Sequence, residues 1–311
     1  IELTDNGMKF PDSISSFMEN TSKKLVEQGF TVNQGIITGA DREGRSKTSK
    51  GIFVLQEEID DRLLEKIMNS NEKCLLKRWF KNSEIKRYHL ELNEKRYVIY
   101  LENEIREEEF PIIMEHLSNY KDRLQERREF KNGKRTWYLL HWPRDKSIFE
   151  SPKIVCPQRA TINSFSLVEF PFYGSADIYF ITSNKNRNND LKLLLLVLNS
   201  KLMFYYLKRR GKLKGKQIEL YYTPLKNLPI RMPNNKLSSI VDYLIFLYSI
   251  EGQNEELKDI INFLDNQIAN SLVYELYFKE KFYKDGLYNE PKEYLQQTVS
   301  KHLKPINHVL W

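Results

Sequence analysis

The sequence predicts a fold that mixes short strands with helices and ends in a pair of helices. Residues 154–181 (IVCPQRATINSFSLVEFPFYGSADIYFI) carry short β-prone runs that prolines and a glycine interrupt. Residues 191–208 (LKLLLLVLNSKLMFYYLK) are so strongly apolar that they predict one helix buried on most sides. Beyond Lys236, apolar residues recur at intervals of three and four on either side of Gly252, which is typical of two antiparallel helices.

The remaining elements follow from local patterns along the chain. The pattern predicts a helix over 12–28, a strand over 30–38, a helix near 57–68, a strand over 96–101, an amphipathic helix over 110–128, an aromatic strand over 137–145, a strand and turn over 218–230 and a last short helix over 290–303. Within the aromatic strand, Trp137 and Trp142 are more typical of a core than of an exposed stacking surface, whereas Arg144 is expected to be exposed.

The composition indicates a folded chain in a reducing compartment. Of the 311 residues, 41% are hydrophobic and 29% are charged, which suits one large domain or two of ordinary size. Cys74 and Cys156 cannot form a disulfide framework, so we expect a cytoplasmic protein. The longest apolar run is too short and too interrupted to cross a membrane. Because the chain starts without methionine or a signal pattern, we expect a piece of a longer polypeptide.

The positive charge is concentrated in one segment. The net charge is +7, and residues 199–216 contain seven basic residues and no acidic one. Such a concentration predicts a surface that binds a polyanion. The seven cations are Lys201, Lys208, Arg209, Arg210, Lys212, Lys214 and Lys216.

Two absences limit the chemistry that this chain can perform. No two glycines are separated by a single residue, so the G-x-G turns that bind dinucleotides or S-adenosylmethionine are missing. No proline follows asparagine or another proline, so the chain also lacks the Asn-Pro-Pro-aromatic loop of amino-methyltransferases. Residues 39–46 (GADREGRS) approach a P-loop, but arginine replaces its lysine and no helix is predicted behind it. We therefore predict no catalytic residue and no cofactor in this chain.

A metal-dependent nuclease is an alternative with weak support. Such enzymes carry an aspartate followed later by Glu-x-Lys. A chain so rich in charge matches that pattern by chance, and the five histidines are scattered, so no metal site is predicted. The two loose matches are Asp61 with Glu84 and Lys86, and Asp122 with Glu129 and Lys131.

The polar residues that remain are suited to binding nucleic acid. Cations of the loop at 39–50 and of the basic segment would bind phosphates: Arg42, Arg45, Lys47, Lys201, Arg209, Lys212, Lys214 and Lys216. Side chains with paired donors and acceptors, or an aromatic ring, would contact base edges: Arg144, Gln158, Arg159, Asn163, Tyr173 and Ser175. The alternative that Gln158 and Asn163 only bond neighbouring backbone in turns stays open.

Several separated blocks resemble one protein family. They cover roughly residues 30–280, which makes the resemblance fairly specific for the family but not for a target sequence. The chain is similar to the C-terminal half of TaqI-like N6-adenine DNA methyltransferases, which include type IIG restriction-modification enzymes. The blocks are QGIITGAD at 34–41, SEIKRY at 83–88, a span from Arg135 to Thr182, LNSKLMFYYLKRRGKLKGKQIELY from Leu198 and LVYELYF at 272–278.

The resemblance implies an α+β fold in which an irregular β-rich DNA-recognition core precedes a helical hairpin, as in type I restriction specificity domains. It implies three parts: 1–30 as the connection from a methyltransferase domain, 31–235 as the target recognition domain and 236–311 as the helical hairpin and tail. Its implied partners are double-stranded DNA and an N-terminal methyltransferase domain of the same polypeptide. That absent domain would bind S-adenosylmethionine and methylate adenine.

Two other functions stay open at this point. A free-standing specificity subunit of a type I-like complex would recruit separate methylase and nuclease chains through its C-terminal helices. A pure interaction module would use the basic segment to bind an acidic protein.

Overall fold

The computed structural model describes residues 2–4, 7–9, 12–46, 48–92, 94–184, 188–250 and 255–284. Its strands are β1 (Glu2–Thr4), β2 (Gly7–Lys9), β3 (Lys23–Lys24), β4 (Phe30–Gln34), β5 (Val54–Gln56), β6 (Leu76–Phe80), β7 (Arg96–Ile99), β8 (Lys153–Pro157), β9 (Arg159–Ala160), β10 (Ser166–Val168), β11 (Tyr173–Gly174), β12 (Ile178–Ser183), β13 (Lys212–Lys214), β14 (Gln217–Glu219) and β15 (Pro229–Ile230).

The helices lie between and after these strands. They are α1 (Ser13–Thr21), α2 (Asp61–Met68), α3 (Pro111–Ser118), α4 (Lys121–Gln125), α5 (Arg128–Lys131), α6 (Ser147–Glu150), α7 (Asn188–Asn199), α8 (Lys201–Arg210), α9 (Tyr222–Lys226), α10 (Ser238–Ile250), α11 (Glu255–Ile261) and α12 (Asn270–Lys284), with a π-helical segment Asn262–Ala269 between the last two. The α+β prediction is confirmed.

A central antiparallel sheet, in the order β10-β8-β12-β4, separates two apolar cores. Successive side chains of a strand point to opposite faces. Val155 of β8 therefore enters what we call the first core, while Ile154 and Cys156 on either side of it enter the second core. Strand β12 alternates in the same way, with Phe180 on the side of Val155. The predicted strands in 154–181 are thus confirmed as the layer on which both cores are built.

The first core packs a second sheet against this layer. That sheet has the order β11-β6-β7-β5, in which β11 and β6 run parallel. The rings of Phe80 and Phe172 stack 4.0 Å apart at their centroids. The predicted helix over 110–128 is shorter than expected, because α3 ends at Ser118 and the chain turns before α4. The Nδ2 group of Asn119 donates to the Glu115 carbonyl at that turn, as a residue that ends a helix does.

The second core contains the predicted apolar helix, which the structure divides into α7 and α8. Residues 193–198 are all buried, as expected. The helix breaks at Ser200, which has extended backbone and whose hydroxyl accepts a hydrogen bond from the Met203 amide at 3.1 Å. A serine in this role begins a new helix instead of continuing the old one. The break sets the direction in which α8 leads to the basic residues.

Two further predictions need correction. The predicted helix over 12–28 ends at Thr21, because the next residues form β3 and pair with β15. The aromatic segment 137–145 forms no named strand; it makes one bridge, between Trp142 and Ile37. Pro143 has no amide hydrogen, and Arg144 has a positive φ of 68°, so the backbone there cannot continue a ladder.

The C-terminal helices are confirmed in part. Helix α10 packs against α11 and the π-helical segment. The second core includes residues of both α7 and α10, which lie on either side of the domain boundary predicted after residue 235. Helix α1 reaches the same core, where Phe17 stacks on Phe278 at 5.5 Å. Gly252 and the helix predicted over 290–303 lie outside the described residues. No helix in the described part of the chain has both the length and the hydropathy that a membrane crossing needs.

Candidate nucleic-acid interface

One end of the central sheet gathers segments that are far apart in the sequence. The registers Tyr179 with Gln34 and Ile178 with Pro157 place the ends of β4 and β8 beside the beginning of β12. The segments at 35–38, 158–160 and 174–177 therefore lie together at this end of the sheet, which we call the edge. Three of the predicted base contacts, Gln158, Arg159 and Ser175, lie on these segments.

Ser175 is held at this edge by close backbone packing. The Gly35 amide donates to the Ile178 carbonyl at 2.9 Å, and the Ile36 amide donates to the Gly174 carbonyl at 2.8 Å. A Cβ atom on Gly35 would lie 2.1 Å from the Ser175 carbonyl oxygen, so only glycine fits there. The turn that carries Ser175 is fixed against the end of β4 as a result.

Arg144 joins the same edge from a distant loop. Its Nε donates to the Gly35 carbonyl and its Nη2 donates to Oε1 of Gln34, both at 3.2 Å. Gln34 in turn donates to the Ala176 carbonyl at 3.0 Å. Partial burial lowers the pKa of Arg144 below its usual value. The neighbouring Trp142 is 41% exposed, which corrects the prediction that it belongs to the core, whereas Trp137 is buried as expected.

Gln158 links this edge to a β-hairpin. Its amide donates to the Asp177 carbonyl at 2.7 Å, and its own carbonyl accepts from the Leu220 amide at 2.8 Å. The side chain of Gln158 is half-buried. These are main-chain bonds, so they leave the prediction of a base contact through the side-chain amide untested.

The hairpin presents the basic residues of the chain's most cationic segment. Strands β13 and β14 are joined by a turn in which Gly215 has a positive φ of 61°, and β14 also pairs with β9. Lys212, Lys214 and Lys216 are all exposed. Lys212 and Lys214 lie on β13, which is an edge strand of this sheet among the described residues, and Lys216 lies in the turn before β14.

Strand alternation gives this three-stranded sheet two different faces. Leu213, Ile218 and Ala160 stand opposite one another, and the last two are buried in the second core. The next row, one residue along, consists of Lys212, Glu219 and Arg159, and it lies on the other face.

Arg159 is held on that second face by Glu219 and Tyr221, which together we call the clamp. Its Nε donates to Oε1 of Glu219 at 3.2 Å, and its Nη2 donates to the Tyr221 hydroxyl at 2.6 Å. The guanidinium also lies 5.8 Å from the centre of the Tyr221 ring. Desolvation lowers the pKa of Arg159, but the two hydrogen bonds and the electrostatic attraction to Glu219 and Tyr221 together more than offset it, so the pKa is raised.

A cavity of about 530 Å³ lies beside the edge, and residues of the polar loop at 39–50 form part of its lining. Arg45 and Ser175, predicted for different roles, both line this cavity. The loop is closed by a hydrogen bond from the Glu43 amide to the Lys50 carbonyl at 3.0 Å. Further polar residues of the lining are Asp41, Arg42, Lys81, Arg123 and Asp177. Lys47 lies outside the described residues.

The basic segment is not one surface. The Lys201 amide donates to Oδ1 of Asn270 at 2.6 Å at the beginning of α8, about 15 Å from the hairpin end of that helix. Arg210 is buried and donates from Nη2 to the Ser16 hydroxyl at 2.8 Å. Arg209 is exposed beside the hairpin, and its guanidinium lies 5.6 Å from the centre of the Tyr205 ring. The structure therefore groups Arg209 with the hairpin lysines and leaves Lys201 apart.

Two predicted base contacts are buried and already bonded. The Asn163 amide donates to the carbonyls of Leu198 and Ser200 at 2.6 and 2.9 Å, so it fixes the junction of α7 and α8. Tyr173 is 1% exposed, and its hydroxyl donates to Glu150 at 2.9 Å. Neither side chain can reach a base from these positions, which corrects both predictions. The alternative of a bond to neighbouring backbone does not hold for Asn163 either, because both carbonyls belong to residues more than 30 positions away in the sequence.

The two nuclease-like patterns do not form metal sites. Glu84 is buried and pairs with Arg96 at 3.1 Å, and Glu129 is buried and lies 3.1 Å from His141 Nε2. Among the residues that the structure describes, no three histidine, cysteine or acidic side chains meet in a group that could hold a metal.

Sequence patterns alone did not identify Gln34, Glu219 and Tyr221 as parts of this interface. A signal existed for the last two, because Gln217, Glu219 and Tyr221 alternate with apolar residues and so share one strand face. The sequence did not indicate which distant residue that face would contact.

Comparison with known proteins places these observations in a family. The family model described as the TaqI-like C-terminal specificity domain matches residues 77–230. The type II methyltransferase M.HindII of Haemophilus influenzae is 28% identical over 160 residues, which are 48% of this chain and 28% of that protein. The chain thus spans less than a third of that relative.

Two further likenesses extend over more of the chain. The type II methyltransferase M.MjaIV of Methanocaldococcus jannaschii is 26% identical over 294 residues, covering 90% of this chain and 87% of that protein. The structure of the type IIL restriction-modification enzyme MmeI in complex with DNA matches 88% of this chain and 35% of its own, with a TM-score of 0.51 and 14% identity. At that identity the likeness concerns the fold alone.

Proposed function

Residues 77–230 form a TaqI-like C-terminal specificity domain, and from that premise we propose that the chain is the DNA sequence-recognition half of a bacterial N6-adenine DNA methyltransferase. That enzyme would belong to a restriction-modification system. The chain's own role is to bind double-stranded DNA and to select the site, because its sequence contains neither a G-x-G turn nor an Asn-Pro-Pro loop.

The observation that carries the proposal is the joining of the cationic hairpin to Arg159. Strand β14 pairs on one side with the lysine-bearing β13 and on the other with β9. Phosphate contacts position a protein on DNA, whereas base contacts select the sequence. Here both kinds of side chain stand in one cross-strand row. The hairpin of β13 and β14 within this sheet is a two-stranded ribbon, an element that fits the major groove of B-form DNA.

The rest of the edge extends this surface. Arg144, Gln158 and Ser175 would lie near bases, and Arg42, Arg45 and Lys47 would lie on a phosphate strand. Arg209 would add a phosphate contact beside the hairpin. Lys201 is set apart by the length of α8 and would touch only a more distant phosphate.

The chemistry would take place in another domain. We propose that a methyltransferase domain of the same polypeptide binds S-adenosylmethionine and receives the adenine, which is turned out of the duplex toward it. In this arrangement the chain itself needs no cofactor.

The test is DNA binding by the full chain with Lys212, Lys214 and Lys216 changed together to alanine. Affinity for a mixed-sequence duplex of about 30 base pairs is measured by gel shift at several salt concentrations. The slope of log affinity against log salt is negative, and loss of three phosphate contacts reduces its magnitude by about 2.7. The matched control changes Lys66, Lys73 and Lys131, which are exposed and lie outside the hairpin, and should keep the slope.

Two results would contradict the proposal. One is an unaltered slope and affinity in the hairpin variant, and the other is no binding of duplex DNA by the unaltered chain at low salt. Preferential binding of an acidic protein over DNA would favour the interaction module instead.

A further inference from the structure

We propose that Arg159 reads a guanine in the major groove, and that Glu219 and Tyr221 are positioning residues that hold it in the reading geometry. This inference rests on the proposed function and adds a base identity and two residues to it.

The unused donors of Arg159 point to a guanine. A guanidinium has five N–H donors, and one edge of it combines Nε with a hydrogen of Nη2. Glu219 and Tyr221 occupy that edge. The opposite edge, formed by Nη1 and the second Nη2 hydrogen, has no partner among the described residues, and the side chain is 35% exposed. Two parallel donors on such an edge match O6 and N7 of guanine, the commonest specific arginine contact.

Two other arginines show what a purely structural pair looks like in this chain. Arg87 uses Nε and Nη2 on Asp265 and donates from Nη1 to the Asn199 carbonyl, and its side chain is only 13% exposed. Arg96 is 5% exposed and pairs with two glutamates. Both guanidinium groups bond to other groups inside the protein. Arg159 differs, because its Nη1 edge is directed away from Glu219 and Tyr221.

The clamp also serves the reading role energetically. A free arginine side chain loses rotamer entropy when it is fixed. Glu219 is 12% exposed and comes from a paired strand, so it supplies a fixed anchor. With the guanidinium held before DNA arrives, less of that entropy is lost on binding.

The position of Arg159 fits a groove. It stands two strand spacings, about 10 Å, from Lys212 in the same cross-strand row. The major groove is about 12 Å wide, so one face of this sheet can place Lys212 against the phosphates and Arg159 against the base edges.

The experiment determines base preference and salt dependence together. The full chain is selected against a pool of random duplexes of about 20 base pairs, and the enriched site is then varied one base pair at a time. Arg159→Met keeps the length of the side chain and removes every donor. We expect it to lose about five- to 150-fold of preference for guanine at a single position, while the salt slope is retained because no phosphate contact is lost.

Two conservative variants test the positioning residues. Glu219→Gln and Tyr221→Phe keep the size of each side chain but weaken the clamp, so both should reduce preference at that same guanine and at no other position. Lys212→Ala is the matched control, because it should lower affinity for every duplex alike and reduce the salt slope. Thermal unfolding of each variant confirms that it is folded.

The outcomes separate this inference from the proposed function. Sequence-selective binding in which Arg159→Met leaves every base preference intact overturns the inference and keeps the proposed function. A uniform loss of affinity over all duplexes makes Arg159 a phosphate contact and also overturns it. Absence of DNA binding by the unaltered chain overturns both.

Discussion

Arg87 and Asp265 form a bidentate ion pair that joins the first half of the chain to the C-terminal helices. The Nε and Nη2 groups donate to the two carboxylate oxygens at 2.7 and 2.8 Å, and the Asp265 side chain is only 3% exposed. The Tyr248 hydroxyl donates to the same carboxylate at 2.7 Å. One carboxylate therefore ties the SEIKRY segment, α10 and the π-helical segment together.

We expect Asp265→Ala to lower the free energy of unfolding by about 3–5 kcal/mol, because it leaves the Arg87 charge buried without its partner. Urea unfolding measures the change. Arg87→Ala serves as the paired variant, and the double variant should lose much less than the sum of the two single losses. Additive losses would show that the two side chains contribute independently.

Lys153 makes the stability of the fold depend on pH. It is fully buried, and burial lowers its pKa from 10.5 to about 7. Between about pH 7 and 10 the unfolded lysine carries more protons than the folded one, so stability rises with pH over this window, by at most about 1.4 kcal/mol per pH unit. Below this window both states are protonated and the dependence disappears.

Urea unfolding of Lys153→Met between about pH 6 and 10 measures this contribution. The difference in stability between the unaltered chain and the variant should grow in favour of the unaltered chain from about pH 7 upward. The ammonium form donates to the carbonyls of Phe149, Ser151 and Phe170 at 2.6 to 2.9 Å. A difference that stays flat over the whole range would mean that these bonds keep the lysine charged.

Gly35→Ala should disturb the edge of the central sheet more than an ordinary glycine change. The new methyl would lie 2.1 Å from the Ser175 carbonyl oxygen, so the turn at 174–177 must move. We expect a loss of about 3 kcal/mol or more of unfolding free energy. Base preference in the duplex selection should change as well.

Gly133→Ala is the matched control for that change. Gly133 has a positive φ of 68°, but no atom lies within 4 Å of the position that an alanine methyl would take, so the cost is limited to backbone strain of about 1 kcal/mol. Equal losses in the two variants would show that the close approach of Gly35 to Ser175 is unimportant.

Local patterns predicted the elements better than their ends. Strand β7 and the strands of 154–181 form where apolar and β-branched residues alternate, and α7 is buried as its composition requires. The predicted helix over 110–128 and the helix over 191–208 are both divided. Asn119 and Ser200 lie at these breaks, and a periodicity does not reveal the hydrogen bonds that their side chains make there.

The candidate interface was predicted as a composition and not as a surface. Lys212, Lys214 and Lys216 are exposed, as a surface that binds a polyanion requires, because a hairpin at the edge of a sheet leaves such side chains in solvent. Arg210 differs, because the last turn of α8 directs it inward to Ser16. Asn163 was suited by type to bind adenine, but its position beside the end of α7 commits its amide to two carbonyls.

The sequence by itself determined the α+β character, the concentration of positive charge and the lack of methyltransferase motifs, because each depends on residue type and local spacing. Only the tertiary structure decided that Arg159 meets Glu219, 60 residues away, and that Trp142 stays exposed. Strand register and close backbone approach fix such pairs, and a one-residue shift in register would exchange the two faces of the hairpin.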